Sequence, residues 1–149
     1  MKIYIGSDHQ GFHLKEAVFA WLKKEGYDIE DVSNKTLDPN DDYPQFAQAA
    51  VHKVLSSSEP DSRAILICGG GQGMAMAANR FKGIRAAVIW DEQEAKMTRL
   101  DNDSNVLSLP ARVLDGDINN VKNIVTTWLT TKFSAASRHT RRNQELDDI

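Results

Sequence analysis

The sequence predicts an α/β domain with a five-stranded parallel sheet, and two observations carry that prediction. Apolar segments of strand length alternate about five times with amphipathic segments of helical length along the 149 residues, an order typical of parallel strands joined by helices. The segment Ala64–Cys68 is apolar throughout, as expected for a central strand that helices cover on both faces. We therefore expect a single three-layer, Rossmann-like domain over residues 1–149, with right-handed crossovers.

The hydrophobic periodicity also places the individual elements. Leu14, Val18 and Leu22 recur at helical spacing after the first strand, and Gly26 supplies a stop. Pro44 suits the first turn of the second helix, because its missing N–H is not needed there. In chain order, the predicted strands are 3–5, 28–32, 64–68, 84–90 and 106–109, and the predicted helices cover 14–22, 44–54, the segment after the loop at 69–73, 92–100 and 118–129.

The segment after Phe133 does not fit this pattern. It is polar and basic, then acidic, and offers no apolar face to its own sheet. Periodicity alone slightly favours a solvated tail. The alternative is a terminal helix, about 134–149, that packs on a partner subunit, and the fold that we predict includes this helix.

Composition excludes several classes of protein. The net charge is −3, which argues against broad nucleic-acid binding. No apolar run approaches the length needed to cross a bilayer, and Met1–Ile5 opens the chain without an apolar signal core, so we expect a cytoplasmic protein that binds no membrane. Cys68 is the single cysteine, which excludes an internal disulfide, and without CxxC or a His/Cys cluster we expect no metal and no cofactor.

A glycine-rich loop, Gly69–Gly73, follows Cys68 directly as Gly69-Gly70-Gly71-Gln72-Gly73. Backbone N–H groups in such a loop converge on an anion, and the start of the next helix adds partial positive charge. The same field favours the thiolate of Cys68 over the thiol. A thiolate beside a loop that can hold an enediolate suits a general base for a proton next to a carbonyl. Lone cysteines are more often small buried apolar residues, but the adjacent loop favours the chemical role.

A dinucleotide-binding fingerprint is the rival interpretation of this loop. Gly71 and Gly73 supply the first G-x-G after a strand, and Asp91 lies about 20 residues further on. The third small residue of the fingerprint is missing, because Met76 occupies its position. A small nucleotide-dependent oxidoreductase therefore stays open as an alternative.

Other candidate ligands lie outside the loop. Asp8 and His9 follow the first strand, so they share the carboxyl edge of the sheet with Cys68 and Asp91. An isolated Asp-His pair is more often a cap with a surface side chain, but beside this loop Asp8 suits a hydroxyl and His9 a phosphate. Tyr43 is a secondary candidate, since tyrosines more often serve packing. The candidate phosphate ligands are three arginines, although such charges often only face solvent: Arg112, Arg138 and Arg142.

These residues, taken together, resemble the motifs of a known family. Several ordered motifs, which together span nearly the whole chain, are similar to those of ribose-5-phosphate isomerase B and its galactose-6-phosphate isomerase relatives. The resemblance implies a metal-free aldose-ketose isomerase, a dimer or a dimer of dimers, and an active site shared between two subunits. The motifs that carry it are Gly6–Phe12, Asp42–Pro44, Ile67–Gly73, Asn102–Leu107, Ala111–Val113 and Arg138–Arg142.

The resemblance also implies a role for each residue. Cys68 becomes the base that shuttles a proton between C1 and C2 of a sugar phosphate, and Gly69, Gly70, Gly71, Gln72 and Gly73 become the enediolate cradle. Asp8 and Asn102 become sugar contacts. The phosphate or substrate ligands become His9, Arg112, Arg138 and Arg142, of which the last two come from the partner chain.

Two departures from the family pattern bear on the substrate. Ribose-5-phosphate isomerases carry a histidine for furanose ring opening where this chain has Asp101, and Gly70 replaces the usual Ser or Thr of the cysteine loop. Asp101 is either an acid kept protonated by burial, a ligand of another sugar hydroxyl, or a sign that ring opening is unnecessary. A tetrose 4-phosphate cannot close the usual five-membered ring, and a hexose 6-phosphate is the other alternative. A noncatalytic sugar-phosphate binding protein also stays open.

Overall fold

The computed structural model describes residues 1–148 and contains the predicted parallel sheet. The strands are β1 (Lys2–Ser7), β2 (Asp28–Asp31), β3 (Ser62–Cys68), β4 (Ala86–Val88) and β5 (Val106–Pro110). The helices are α1 (Phe12–Lys24), α2 (Tyr43–Ser56), α3 (Gln72–Ala78), α4 (Glu92–Asn102), α5 (Ala111–Leu114), α6 (Ile118–Thr130) and α7 (Ser137–Glu145). The strand order is β2-β1-β3-β5-β4, and every neighbouring pair is parallel.

The side chains of β3 divide the core into two layers. Ile65 and Ile67 point into a cluster formed with α1, α4 and α6, whereas Leu66 and Cys68 point into a cluster formed with α2 and α3. This alternation follows from the period of two in a strand. Helices therefore cover both faces of the sheet, and the predicted three-layer α/β fold is confirmed.

The structure differs from the predicted elements in three places. The fourth strand is shorter than 84–90, because backbone pairing covers only Ala86–Val88. The short helix α5 was not predicted. Periodicity slightly favoured a solvated tail after Phe133, but the structure contains α7, the terminal helix that the predicted fold includes, and α7 packs against α4 of the same chain with His139 buried.

Within residues 1–148, no helix has the length and apolar character that crossing a membrane requires.

Gly11 joins β1 to α1 where the backbone passes very close to β3. A Cβ atom on Gly11 would lie 2.3 Å from the carbonyl oxygen of Ile67, so any larger residue forces two backbone segments apart. We predict that Gly11→Ala lowers the free energy of unfolding by about 1–3 kcal/mol in urea denaturation. Gly6→Ala is the matched control, since its Cβ would have its nearest neighbour at 3.4 Å. Equal stability of the two variants would contradict this close approach.

Candidate active site

Asp8 occupies the carboxyl end of β1, at the same edge of the sheet as the end of β3. Its Oδ1 accepts hydrogen bonds from the N–H groups of Gln10 at 3.0 Å and Gly11 at 3.1 Å. Burial raises the pKa of the Asp8 carboxyl, and these two hydrogen bonds oppose the shift. The carboxyl group is thereby fixed in one orientation at the start of α1.

Cys68 lies at the end of β3 with its sulfur against the glycine-rich loop. Its Sγ accepts a hydrogen bond from the Gly71 N–H at 3.2 Å, a contact that suits a sulfur bearing negative charge. Gly71 has a φ angle of +72°, a left-handed backbone conformation that residues other than glycine adopt only at an energetic cost. The Ser108 hydroxyl donates to the Gly71 carbonyl at 2.5 Å. The loop is therefore held in a conformation that turns the Gly71 N–H toward the sulfur.

Two side chains from other elements lie directly on this loop. The Tyr43 ring covers Gly73, where a Cβ would lie 2.8 Å from the phenol Cζ. The backbone N–H of Arg112 donates to the Gly69 carbonyl at 3.0 Å, and its Nη1 donates to Gln10 Oε1 at 3.3 Å. An open cavity of about 340 Å³ lies beside Arg112 and Gln10. The structure thus brings Tyr43 and Arg112 to the loop that Cys68 faces.

His9 makes a close pair with a carboxylate that the sequence did not single out. Asp41 Oδ1 accepts from the His9 backbone N–H at 2.9 Å and lies 2.8 Å from His9 Nδ1. The Asp41 side chain is 3% exposed and that of His9 is 32% exposed. The hydrogen bond to Asp41 raises the pKa of His9, as do the nearby charges of Asp8 and Asp38, while desolvation opposes the shift. With Nδ1 on Asp41, the free Nε2 of a protonated ring can donate to an anion.

We predict that Asp41→Asn lowers the pKa of His9, because the raising hydrogen bond and charge are lost. The His9–Asp41 pair stabilises the fold fully below pH ~6.5, and this stabilisation disappears as the pH rises through the raised pKa of the folded state. NMR titration of the imidazole signals measures the shift, with His9→Gln to assign the peak. An unchanged His9 midpoint in Asp41→Asn would contradict the pairing, and Asp42→Asn serves as the neighbouring control.

Asp101 and Asn102 lie at the opposite edge of the sheet. Helix α4 returns from the carboxyl end of β4 to the amino end of β5, and both residues stand at its end. Arg85, which precedes β4, donates from Nε to the Asn102 carbonyl at 2.9 Å. Since β5 must still run from Val106 to its pairing with Cys68 at Pro110, neither side chain reaches the Cys68 loop within one chain.

Arg138 lies at this amino edge too, at the start of α7. Its Nε donates to His139 Nε2 at 3.0 Å, and His139 Nδ1 contacts the Ser134 hydroxyl at 2.9 Å and Asp101 Oδ1 at 3.6 Å. Arg142 follows one helical turn after Arg138 on α7. Asp101, Asn102, Arg138 and Arg142 therefore form a second group of predicted site residues, separate from the group around Cys68.

The predicted site residues thus fall into two groups within one chain. The carboxyl-edge group comprises Asp8, His9, Tyr43, Cys68, Gly69, Gly70, Gly71, Gln72, Gly73 and Arg112, and the amino-edge group comprises Asp101, Asn102, Arg138 and Arg142. The Asp101 side chain is 43% exposed in the single chain. Asp91, predicted at the carboxyl edge, caps α4 by accepting from the Glu94 N–H at 2.9 Å.

Sequence reasoning missed four polar residues that contact these groups. Gln10 and His139 lay inside motifs that had been noticed, so their signal was present. Asp41 immediately precedes the Asp42–Pro44 motif, but nothing in its spacing distinguishes it from the other acidic residues of that loop. Ser108 is a lone hydroxyl within an apolar strand, and a buried hydroxyl requires a partner, which is the signal that could have found it.

A thiol held beside a glycine-rich loop at the carboxyl edge of a parallel sheet is an arrangement typical of an enzyme site, because ligands of such sheets bind at this edge. The comparisons with known proteins narrow this class. The chain belongs to the Ribose/Galactose Isomerase family, whose model matches residues 3–146. By family it is therefore an isomerase, and the resemblance drawn from its motifs is confirmed.

Two solved structures are closely similar over nearly the full length. A ribose 5-phosphate isomerase from Thermotoga maritima superposes with a TM-score of 0.92 at 40% identity, covering 99% of this chain and 98% of that one. Ribose-5-phosphate isomerase B from Mycoplasma genitalium with bound ribulose-5-phosphate has a TM-score of 0.90 at 36% identity, covering 97% and 93%. Family and fold are thus shared at the level of the whole chain.

Another relative is named for a different substrate. The 4-deoxy-4-sulfo-D-erythrose isomerase of Clostridium sp. (strain MSTE9) is 40% identical over 134 residues, which cover 90% of this chain and 82% of that protein. Proteins this similar to the chain therefore carry names for sugars of different length.

Proposed function

We propose that the protein interconverts the aldose and ketose forms of a phosphorylated sugar through a cis-enediolate, with Cys68 as the general base. The observation that carries this proposal is the hydrogen bond from the Gly71 N–H to Cys68 Sγ. It places the sulfur at the mouth of a loop whose N–H groups suit a developing oxyanion. Asp8, fixed by two backbone N–H groups, is suited to hold a sugar hydroxyl.

The reaction requires a proton to leave one carbon of the sugar and a proton to be added to the adjacent carbon. The Cys68 thiolate takes the proton from the carbon next to the carbonyl. The electron pair of that C–H bond forms the carbon–carbon double bond, and the π pair of the carbonyl moves onto its oxygen to give the enediolate. The thiol then returns a proton to the neighbouring carbon while a proton passes between the two oxygens. The loop lowers the barrier because it binds the enediolate more strongly than the neutral carbonyl.

A complete site requires a second copy of the chain. The amino-edge group carries Arg138 and Arg142, whose guanidinium groups suit a phosphate, and Asn102, which suits a hydroxyl. All three lie at the far end of the sheet from Cys68. We infer that the protein is a homodimer or a dimer of dimers, in which the amino-edge group of one subunit faces the carboxyl-edge group of the next.

Ribose 5-phosphate is the proposed substrate, on the support of the two similar structures that are named ribose 5-phosphate isomerases. Asp101 favours a second candidate, a tetrose with an anionic group at C4. Such a sugar has no free oxygen at C4 to close a five-membered ring, so it needs no ring-opening acid. The relative named for 4-deoxy-4-sulfo-D-erythrose supports this candidate.

A comparison of kcat/KM across sugar lengths tests the proposal. Purified protein is given ribose 5-phosphate, erythrose 4-phosphate and a hexose 6-phosphate, and ketose formation is followed by NMR. We expect ribose 5-phosphate to be the best substrate. A tenfold or greater preference for the tetrose would establish the second candidate instead. Saturable binding of a sugar phosphate without turnover of any sugar would favour a noncatalytic binding protein, and saturable NAD binding would favour an oxidoreductase.

A further inference from the structure

The Gln10 side chain lies over the glycine-rich loop, beside the Arg112 guanidinium. A Cβ atom on Gly69 would stand 2.8 Å from Gln10 Cδ and 3.0 Å from Arg112 Nη1, so the amide and the guanidinium share the space above one residue of the loop. Gly69 directly follows Cys68 in the chain. The two groups therefore lie beside the residue that follows the proposed base, and both line the open cavity of about 340 Å³.

The contact with arginine fixes which end of the Gln10 amide is used. Arg112 Nη1 donates to Gln10 Oε1 at 3.3 Å, and since a guanidinium group has no acceptor, the amide oxygen must face it. The two N–H groups of Nε2 then remain available to an acceptor, because the Gln10 side chain is exposed. The Gln10 backbone N–H donates to Asp8 Oδ1 at 3.0 Å, which anchors the base of this side chain at the carboxyl end of β1.

An amide at position 10 leaves the charge of Arg112 intact. Within residues 1–148, no carboxylate forms a salt bridge with Arg112, although Asp115 also lines the cavity. A glutamate in place of Gln10 would pair with the guanidinium and neutralise it, whereas the amide only orients it. A full positive charge and neutral amide donors are thus presented together, which suits an anion of the phosphate or sulfonate class.

We propose that Gln10 binds the anionic group of the substrate: Oε1 holds Arg112 over the loop, and Nε2 donates to the same anion. This inference rests on the isomerase function proposed above, in which the sugar carries such a group. His9 directly precedes Gln10, and with its Nδ1 on Asp41 its Nε2 can donate to the anion as well. Gln10 thus links His9, its neighbour in the chain, to Arg112, its neighbour in space.

Gln10→Glu tests the charge argument with little risk to the fold, because the side chain is exposed and the backbone hydrogen bond to Asp8 is unaffected. We expect KM and the inhibition constant for inorganic phosphate to rise about tenfold or more, since a donor to a charged group is lost and Arg112 is neutralised. The value of kcat should be nearly unchanged, because the anion is bound equally in the ground state and the transition state. The exposed Gln48 in α2 supplies the control Gln48→Glu, which should keep the native KM.

Gln10→Met separates hydrogen bonding from charge. Methionine keeps the length of the side chain without its amide, so we expect the same two constants to rise about tenfold, the effect of losing one hydrogen bond to a charged group. Arg112→Gln should cost less affinity in the Gln10→Met background than in the native chain, because Gln10 holds Arg112 in place. Fully additive losses would overturn the positioning of Arg112 by Gln10.

Two results would overturn the assignment of Gln10 to the anion. One is an unchanged KM and phosphate inhibition constant in Gln10→Glu, and the other is a lower kcat at unchanged KM, which would place Gln10 at the reacting oxygens. Calorimetric binding of inorganic phosphate to the native protein and to Gln10→Glu tests the inference without turnover. If the native protein binds phosphate but isomerises no sugar phosphate, the proposed function fails, while the difference between these two proteins still decides the role of Gln10.

Discussion

Cys68→Ala will lower kcat by about 10³-fold or more, because this sulfur carries both proton transfers at carbon in the proposed mechanism and general bases contribute about 10²–10⁴. The sulfur lies in the buried cluster formed with α2 and α3, and the substitution removes a single atom there. The fold should therefore survive, and phosphate binding should be nearly unchanged. Steady-state kinetics with the preferred sugar phosphate, together with calorimetric binding of inorganic phosphate, measure both effects.

The neighbouring Met74 supplies the control for packing. It is fully buried in the same cluster as Cys68, and Met74→Leu conserves volume, so its stability should change by less than about 1.5 kcal/mol. We expect this variant to keep its activity. Retention of more than a tenth of the native kcat by a correctly folded Cys68→Ala variant would remove Cys68 from the mechanism.

Mixing two inactive variants will restore activity if the site is shared between subunits. Arg138→Ala damages the amino-edge group and Cys68→Ala damages the carboxyl-edge group, so each homodimer has two defective sites. A mixed dimer has one site in which both groups are intact. With random pairing, half of the dimers are mixed, and roughly a quarter of the native activity returns for a two-fold dimer. Co-expression with two affinity tags, followed by kinetics on each population, measures this.

A second mixture tests whether recovery requires the two substitutions to lie in different groups of site residues. Asp8 and Cys68 share the carboxyl edge, so a mixed dimer of Asp8→Ala and Cys68→Ala has one defect in each site. No activity should return in this case. Recovery in both mixtures, or in neither, would contradict the assignment of the two groups to different subunits of one site.

Much of the fold could be predicted because the core strands and helices have a clear hydrophobic periodicity. The strand Ala64–Cys68 is apolar throughout, and α6 carries an apolar face at helical spacing. The fourth strand was predicted too long because Ile84 and Ile89 are both buried although neither lies within β4. Burial outside a strand and burial within one leave the same apolar signal in a sequence.

The C-terminal helix escaped the same reasoning for a different reason. Within α7, the buried residue is His139, and it is stabilised by polar contacts with Ser134 and Arg138 instead of by an apolar face. The hydrophobic pattern of the sequence therefore does not predict this helix. Its position against α4 depends on a three-dimensional contact that the sequence does not display.

The carboxyl-edge group could be predicted from the sequence. The position of the amino-edge group at the opposite edge of the sheet could be predicted only in part. Asp8 and Cys68 each follow an apolar strand, and parallel strands end together. The same topology returns each following helix to the amino edge, so the place of Asp101 at the end of α4 was implicit in the strand and helix order. The pairing of His9 with Asp41 was not, because Asp41 lies in a loop whose path no periodicity fixes.

Deuterium incorporation from heavy water tests the central claim most directly. The native protein is incubated with its preferred sugar phosphate in heavy water, and NMR follows the hydrogens at C1 of the ketose and C2 of the aldose. We expect deuterium to appear at these carbons as the two isomers equilibrate, because a base that exchanges with solvent carries the proton. Isomerisation with no deuterium at either carbon would contradict proton transfer through Cys68, and the absence of both isomerisation and exchange with every sugar phosphate would contradict the isomerase assignment itself.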